Sequence, residues 1–495
     1  MTSIAKKKRN NIIIMGAVVV ILMAALIAVK IAGSDSEVET EEYTYALTTL
    51  KSGQISSISY TYSDGSSASY KYADGQWYNG DDSEFPLSSS GFENQFVASF
   101  VELTSSRKLT EYEGGIEALG LDNPELTVTV TGNDSVSTVY KVGNYNPTIG
   151  EYYLMINEDK DNIYMITDDL MYICRKDIYD YATVDAFPTY SLDTMDYMEF
   201  VSGDSKSTLL YREEGMEEDI TGYGWSWFFQ QPFSHAMPCE TSKMDTMLED
   251  VLPLCEYIKT VNYKANSEEL KEYGLDNPRG SYSIYFDETD DDGNIVNCSI
   301  TVYIGNPSDE EGGYYTREVK RVGLTQDNSG VVRILSSSGA EALLGINPLD
   351  YILSNVLFLE IEDINGSTIK FNTQEGEYTF SYEDGDESTL SDDVYKMGET
   401  VIDSEGFRSL WNKMVSINPE RIITDKSTVK SDEPVYTIMA DRIEDDYYGD
   451  ITVKFIKYDS NYYQVEINGV TDFLMRIRDV DEFFGELDEY ASEYK

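Results

Sequence analysis

The phrase GLDNP stands at Gly120–Pro124 and again at Gly274–Pro278, each time ahead of an alternating run, "ELTVTV" (125–130) and "RGSYSIYF" (279–286). Each copy is preceded by a short helical pattern, "GGIEALG" (114–120) and "SEELKEYG" (267–274). Glycine enters the left-handed conformation that closes a helix without a Cβ clash, and the residue before proline is pushed to extended geometry. Gly120 and Gly274 are therefore predicted to stop a helix, and Asn123 and Asn277 to start a strand. A third copy keeps proline without the glycine, "SDEPVYTIMA", with Pro434 before the strand.

Working outward, the same order of elements surrounds each joint. Upstream lie alternating strands broken by turn dipeptides: Asp64-Gly65 and Asp74-Gly75 in the first copy, Asn365-Gly366 in the third, and a looser version over 192–229 in the second. An aromatic follows each later turn: Trp77, Trp225 or Trp227, and Tyr378. These are expected to fill a sheet core rather than to stack on sugar. An amphipathic helix comes next. Its apolar stripe is Phe92, Phe96, Phe100 and Leu103 in the first copy, with Ser90 and Glu93 spaced as a capping box. The second stripe is Met244, Met247, Leu248, Val251 and Cys255, kinked at Pro253; the third is Phe407, Leu410, Trp411, Met414 and Ile417. After the joint come further strands that carry Tyr152-Tyr153, Tyr314-Tyr315 and Tyr462-Tyr463 at one shared step, then a closing helix.

The expected fold class is α+β: three tandem modules at 45–188, 189–352 and 353–495, each a mainly antiparallel sheet packed on one or two helices. At roughly 150 residues per domain, 495 residues fit that count.

Ahead of the modules, Lys6, Lys7, Lys8 and Arg9 precede an uncharged stretch that is apolar from Ile12 to Val29. Eighteen such residues at about 1.5 Å each reach about 27 Å, close to the ~30 Å hydrocarbon core, and Lys30 can snorkel at the far end. The expectation is a cytoplasmic basic tail (1–11), a transmembrane helix in the lipid bilayer (12–33) and an acidic linker (34–44). The positive-inside rule then puts the rest of the chain outside the cell membrane. A signal peptide would have a shorter apolar core and a clearer cleavage site. After Gly33 the chain has 32 basic against 90 acidic side chains, a net of −58, which repels nucleic acid and anionic polymers.

At these same residues the chain resembles a bacterial family catalogued as domain of unknown function 4340. "YGLDNP" before a strand, then the turns "YKVGNYNPTIGEYY" and "VYIGNPSDEEGGYY" and an apolar strand leading to a helix, carry the resemblance in the first two copies. The third departs at the joint. The resemblance implies an exported, repeat-built protein held by one N-terminal span, often found beside ABC-type export permeases. It brings no established catalytic residues.

Chemistry is sparse. His235 is the only histidine, which starves Ser-His, Cys-His and multi-histidine zinc sites. Four cysteines in an exported chain of this length make no disulfide scaffold; Cys174 and Cys298 read as buried, and Cys239 and Cys255 could pair or stay free. In "DETDDDGNIVNCS" the calcium-loop spacing offers Glu288, Asp290 and Asp292 but Ser299 where a bidentate Glu is needed, so a hairpin turn at Asp292-Gly293 is expected. No catalytic, cofactor-binding or metal residue is assigned. The expected function is a non-catalytic, membrane-anchored accessory or scaffold beside an ABC-type permease or other envelope proteins. The alternatives are a surface module for polysaccharide or a basic partner, and a wall hydrolase using two carboxylates in a deep cleft.

Overall fold

Alternation decides the strands. In Leu126–Gly132 the residues Leu126, Val128 and Val130 are buried while Thr127, Thr129 and Thr131 face outward, the period of two that a half-covered sheet imposes. The computed structural model describes residues 45–495 apart from 192–193, 212–225, 291–292, 310, 328, 358, 386–392 and 443–448. The basic tail, the membrane span and the acidic linker expected over 1–44, and Trp225, lie outside the described residues. Among the described residues no helix is long and apolar enough to cross a membrane.

The architecture is α+β, with three large antiparallel sheets and one two-stranded ribbon, Tyr45–Ala46 on Thr104–Ser105. Across the first sheet the order is Gln76–Asn79, Ser67–Ala73, Ile55–Tyr62, Leu126–Gly132, Ser137–Asn146, Glu151–Ile156, Ile163–Ile166 and Arg107–Leu109. The second and third sheets repeat that order and each add a two-residue strand at the near edge, Met237–Pro238 and Thr400–Val401. Met195–Ser202 sits beside Gly280–Thr289 in one, and Thr368–Asn372 beside Tyr436–Ala440 in the other, as Ile55–Tyr62 sits beside Leu126–Gly132 in the first. In all three, a strand that follows the amphipathic helix pairs at the far edge: Arg107–Leu109, Tyr257–Asn262 and Arg421–Ile422. This edge strand is not legible in the sequence, because two to six residues show too little alternation to mark it.

The helix stripes are core as expected. Phe92, Phe96 and Phe100 are buried against Tyr60, Tyr70 and Trp77, with Phe92 and Phe96 stacked at 4.7 Å between ring centroids. Met244 and Met247, then Phe407, Leu410, Trp411 and Met414, fill the same place in the other copies. Trp227 and Tyr378 are buried too. The capping box is a correction: Ser90 lies inside the helix that starts at Ser89, and Glu93 instead accepts a bond from Ser52.

The chain divides after Asp177 into two compact units. Residues 178–188, read from sequence as the end of the first module, are held by the second unit. Asp180 pairs with Lys259 at 2.7 Å, Asp185 with Arg333, and the Phe187 ring stacks on Tyr282. The second and third sheets lie together in that unit and share one apolar cluster, which runs from Met198, Phe229 and Met237 through Leu357 and Ile361 to Phe371, Phe407 and Phe473.

Candidate functional site

The repeated phrase forms a two-part joint. Gly120 and Gly274 have φ of 69° and 70°. Gly120 N–H donates to Glu117 and Leu121 N–H to Ile116, a Schellman closure; Gly274 to Lys271 and Leu275 to Leu270 repeat it. Against each closure lies a Gly-Asn pair where the next hairpin slips register. Asn144 N–H donates to Leu119 O and its side chain to Ala118 O; Asn306 does the same to Tyr273 O and Glu272 O. Gly143 and Gly305 must be glycine, since a Cβ there would fall 2.2 and 2.3 Å from the Leu119 and Tyr273 carbonyl oxygens. Sequence reasoning missed this partner, although the shared letters "VGN" and "IGN" were its signal. The third copy lacks both halves together: no glycine before Pro434, and Ile456-Lys457, by strand register, in place of Gly-Asn.

A cleft of about 740 Å³ opens in the first unit, between the turn after Tyr62 and the end of the closing helix Asp169–Arg175. Tyr62, Asp64, Glu125, Cys174, Arg175 and Lys176 line it. Tyr62 OH donates to Met171 O at 3.1 Å, which fixes the ring beneath the Arg175 guanidinium, 5.6 Å away. Asp64 accepts from Ser66 Oγ at 2.6 Å and Ser66 N–H at 2.8 Å, and these bonds hold its carboxyl below the usual range. Burial pushes the Cys174 thiol well up. This cleft therefore sets two carboxylates, Asp64 and Glu125, beside the cations Arg175 and Lys176 and a protonated thiol. It can hold a polar ligand by charge, but Asp64 is no proton donor and Cys174 no nucleophile.

The other residues weighed from sequence fall apart in space or into packing. His235 is exposed in the loop between Trp227–Gln231 and Met237–Pro238. All four cysteines are free and buried, so Cys239 and Cys255 are not bridged; burial raises both thiols to about 12. The acidic stretch is a hairpin: Thr289 pairs with Ile295, Gly293 takes φ 83°, and the Asp290 carboxylate accepts from Asn294. Among the described residues no group of three His, Cys, Asp or Glu side chains is placed to hold a metal ion.

Buried charges serve as ties between elements. Asp393 accepts from Arg408, Tyr395 OH and Gly385 N–H. Asp472 accepts from Ser234 and Lys426. Arg333 joins Asp185 while lying 5.3 Å over the Tyr257 ring.

No curated protein matches the chain. The family described as Domain of unknown function (DUF4340) matches residues 77–252, from Trp77 on the strand Gln76–Asn79 of one copy to Leu252 at the end of the amphipathic helix of the next, so the resemblance read from the GLDNP joint holds over a stretch about one repeat long.

Proposed function

We propose that this chain is a non-catalytic, membrane-anchored protein that presents three copies of one sheet-and-helix module on the outer side of a bacterial membrane, as an accessory or scaffold subunit of an envelope or ABC-type transport complex. The observation that carries the reading is the strand order shared by all three sheets, including the far-edge strand after the helix. A module repeated for its shape, with its buried charges used as ties, suits a protein whose product is a surface rather than a reaction. The Lys6–Arg9 cluster and the apolar run from Ile12 supply the anchor and its direction. Affinity purification of the full chain from solubilised membranes should bring down a permease or other envelope protein. Recovery of the bait alone across a range of salt concentrations would overturn the reading. Protease added to intact cells should digest the chain beyond residue 44; complete protection would overturn the orientation.

A second reading, a polysaccharide-binding surface, is favoured by one feature. Tyr145 is 48% exposed at a hairpin end in the first unit, with its ring centroid 5.0 Å from that of Tyr152. Glycan-array binding that disappears in Tyr145→Ala would support it over the scaffold reading.

A further inference from the structure

The second sheet carries an arm that the other two lack. Its strands Gly280–Thr289, Ile295–Ser308 and Gly313–Val322 are 10, 14 and 10 residues long. Their counterparts are 7, 10 and 6 residues in the first sheet and 5, 7 and 6 in the third. The arm ends in a two-residue turn, Gly323-Leu324, with Val322 paired to Thr325 and Gly323 at φ 56°. Leu324 is fully exposed (106%), Val322 is 52% exposed and Ile295, on the neighbouring hairpin, 74%. The register sets Val322 beside Cys298, and Gly323 lies against Val296.

Turn chemistry does not ask for leucine there. Tight turns suit small polar residues, and a side chain projecting from one packs on nothing in its own fold. The equivalent turns are polar: Asn468-Gly469 in the third sheet and "NEDKDN" (157–162) in the first. Grouped exposed apolar side chains mark contact surfaces. Charge selects the occupant. Asp287, Glu288, Asp290 and Asp327 stand near the tip against Lys320 and Arg321, and Lys320 is already paired with Glu318. A second copy would bring like charge, and an anionic lipid surface would be repelled.

We propose that the tip formed by Val322 and Leu324 docks into an apolar pocket of a partner protein, and that the rim of that pocket carries lysine or arginine. This rests on the scaffold reading and names its contact point. The test uses the full chain in solubilised membranes, with a photoreactive residue at position 324 and the variants Leu324→Asp and Val322→Ser. The expected result is an adduct to one protein species, whose co-purification falls about tenfold or more in Leu324→Asp and weakens as salt is raised, with the melting temperature unchanged. Wild-type levels of that species in both variants, or adducts only to lipid or to a second copy, would overturn this inference alone. Recovery of no second protein by the wild-type chain would overturn the scaffold reading with it.

Discussion

Ser234 donates its backbone N–H (3.0 Å) and its Oγ–H (2.7 Å) to the two oxygens of Asp472, 238 residues further along the chain. Asp472 is 4% exposed and is also paired with Lys426, while Phe233 meets Phe473 at 5.5 Å beside it. This fastens the loop of the second sheet to the last strand of the third. Removing the carboxylate in Asp472→Ala takes away both Ser234 bonds and the partly exposed ion pair with Lys426, at a cost of about 1–2 kcal/mol. Ser234→Ala loses one hydroxyl bond and costs about 1 kcal/mol. Denaturant midpoints and a double-mutant cycle measure both, and strict additivity of the pair would contradict the tie.

At the joint, the two kinds of glycine should respond differently to alanine. A Cβ on Gly120 would meet Asn144 Oδ1 at 2.3 Å, a side-chain atom that can rotate away by giving up its amide's exposed bond to Ala118 O, so the cost is the left-handed backbone, about 1–2 kcal/mol, plus about 0.5 kcal/mol for that bond. A Cβ on Gly143 would meet the Leu119 carbonyl oxygen at 2.2 Å, and the backbone cannot yield as cheaply. Gly143→Ala is expected to cost more than Gly120→Ala, with Gly305→Ala and Gly274→Ala in the same order. Thermal denaturation of the four variants checks the ranking.

Burial works against ionisation of Asp393, but the Gly385 N–H, Arg408 and Tyr395 OH outweigh it and hold the carboxyl below its ordinary range. A carboxyl lowered on folding adds stability above its unfolded pKa and gives that stability up as pH falls through the folded value. Asp393→Asn should therefore cost about 2–3 kcal/mol at pH 7, given that Arg408 is one-quarter exposed. The gap from wild type should narrow below about pH 4. A pH-independent gap would rule out the charge contribution.

The four thiols should stay silent in the native state. All are buried, and burial raises Cys239 and Cys255 to about 12, so almost no thiolate is present at neutral pH. A thiol reagent at pH 8 is expected to label none of them in the folded protein and all four in denaturant. Rapid labelling of the native chain would contradict their placement.

Local signals settled what local physics controls. Gly120 and Gly274 were legible because a left-handed helix stop admits little else, and the Phe92, Phe96 and Phe100 stripe because the helical period shows which face is covered. The charge excess and the apolar run from Ile12 are likewise properties of the residues themselves. Three features appeared only in three dimensions: the far-edge strands Arg107–Leu109, Tyr257–Asn262 and Arg421–Ile422, the seat that Asn144 and Asn306 give the joint, and the Ser234–Asp472 tie. Each depends on groups distant in sequence, and a short strand or a single hydroxyl carries no periodicity of its own. The reason is physical: a backbone bond or a buried carboxylate is satisfied by whichever partner the folded chain delivers, and only the packed sheets decide which partner that is.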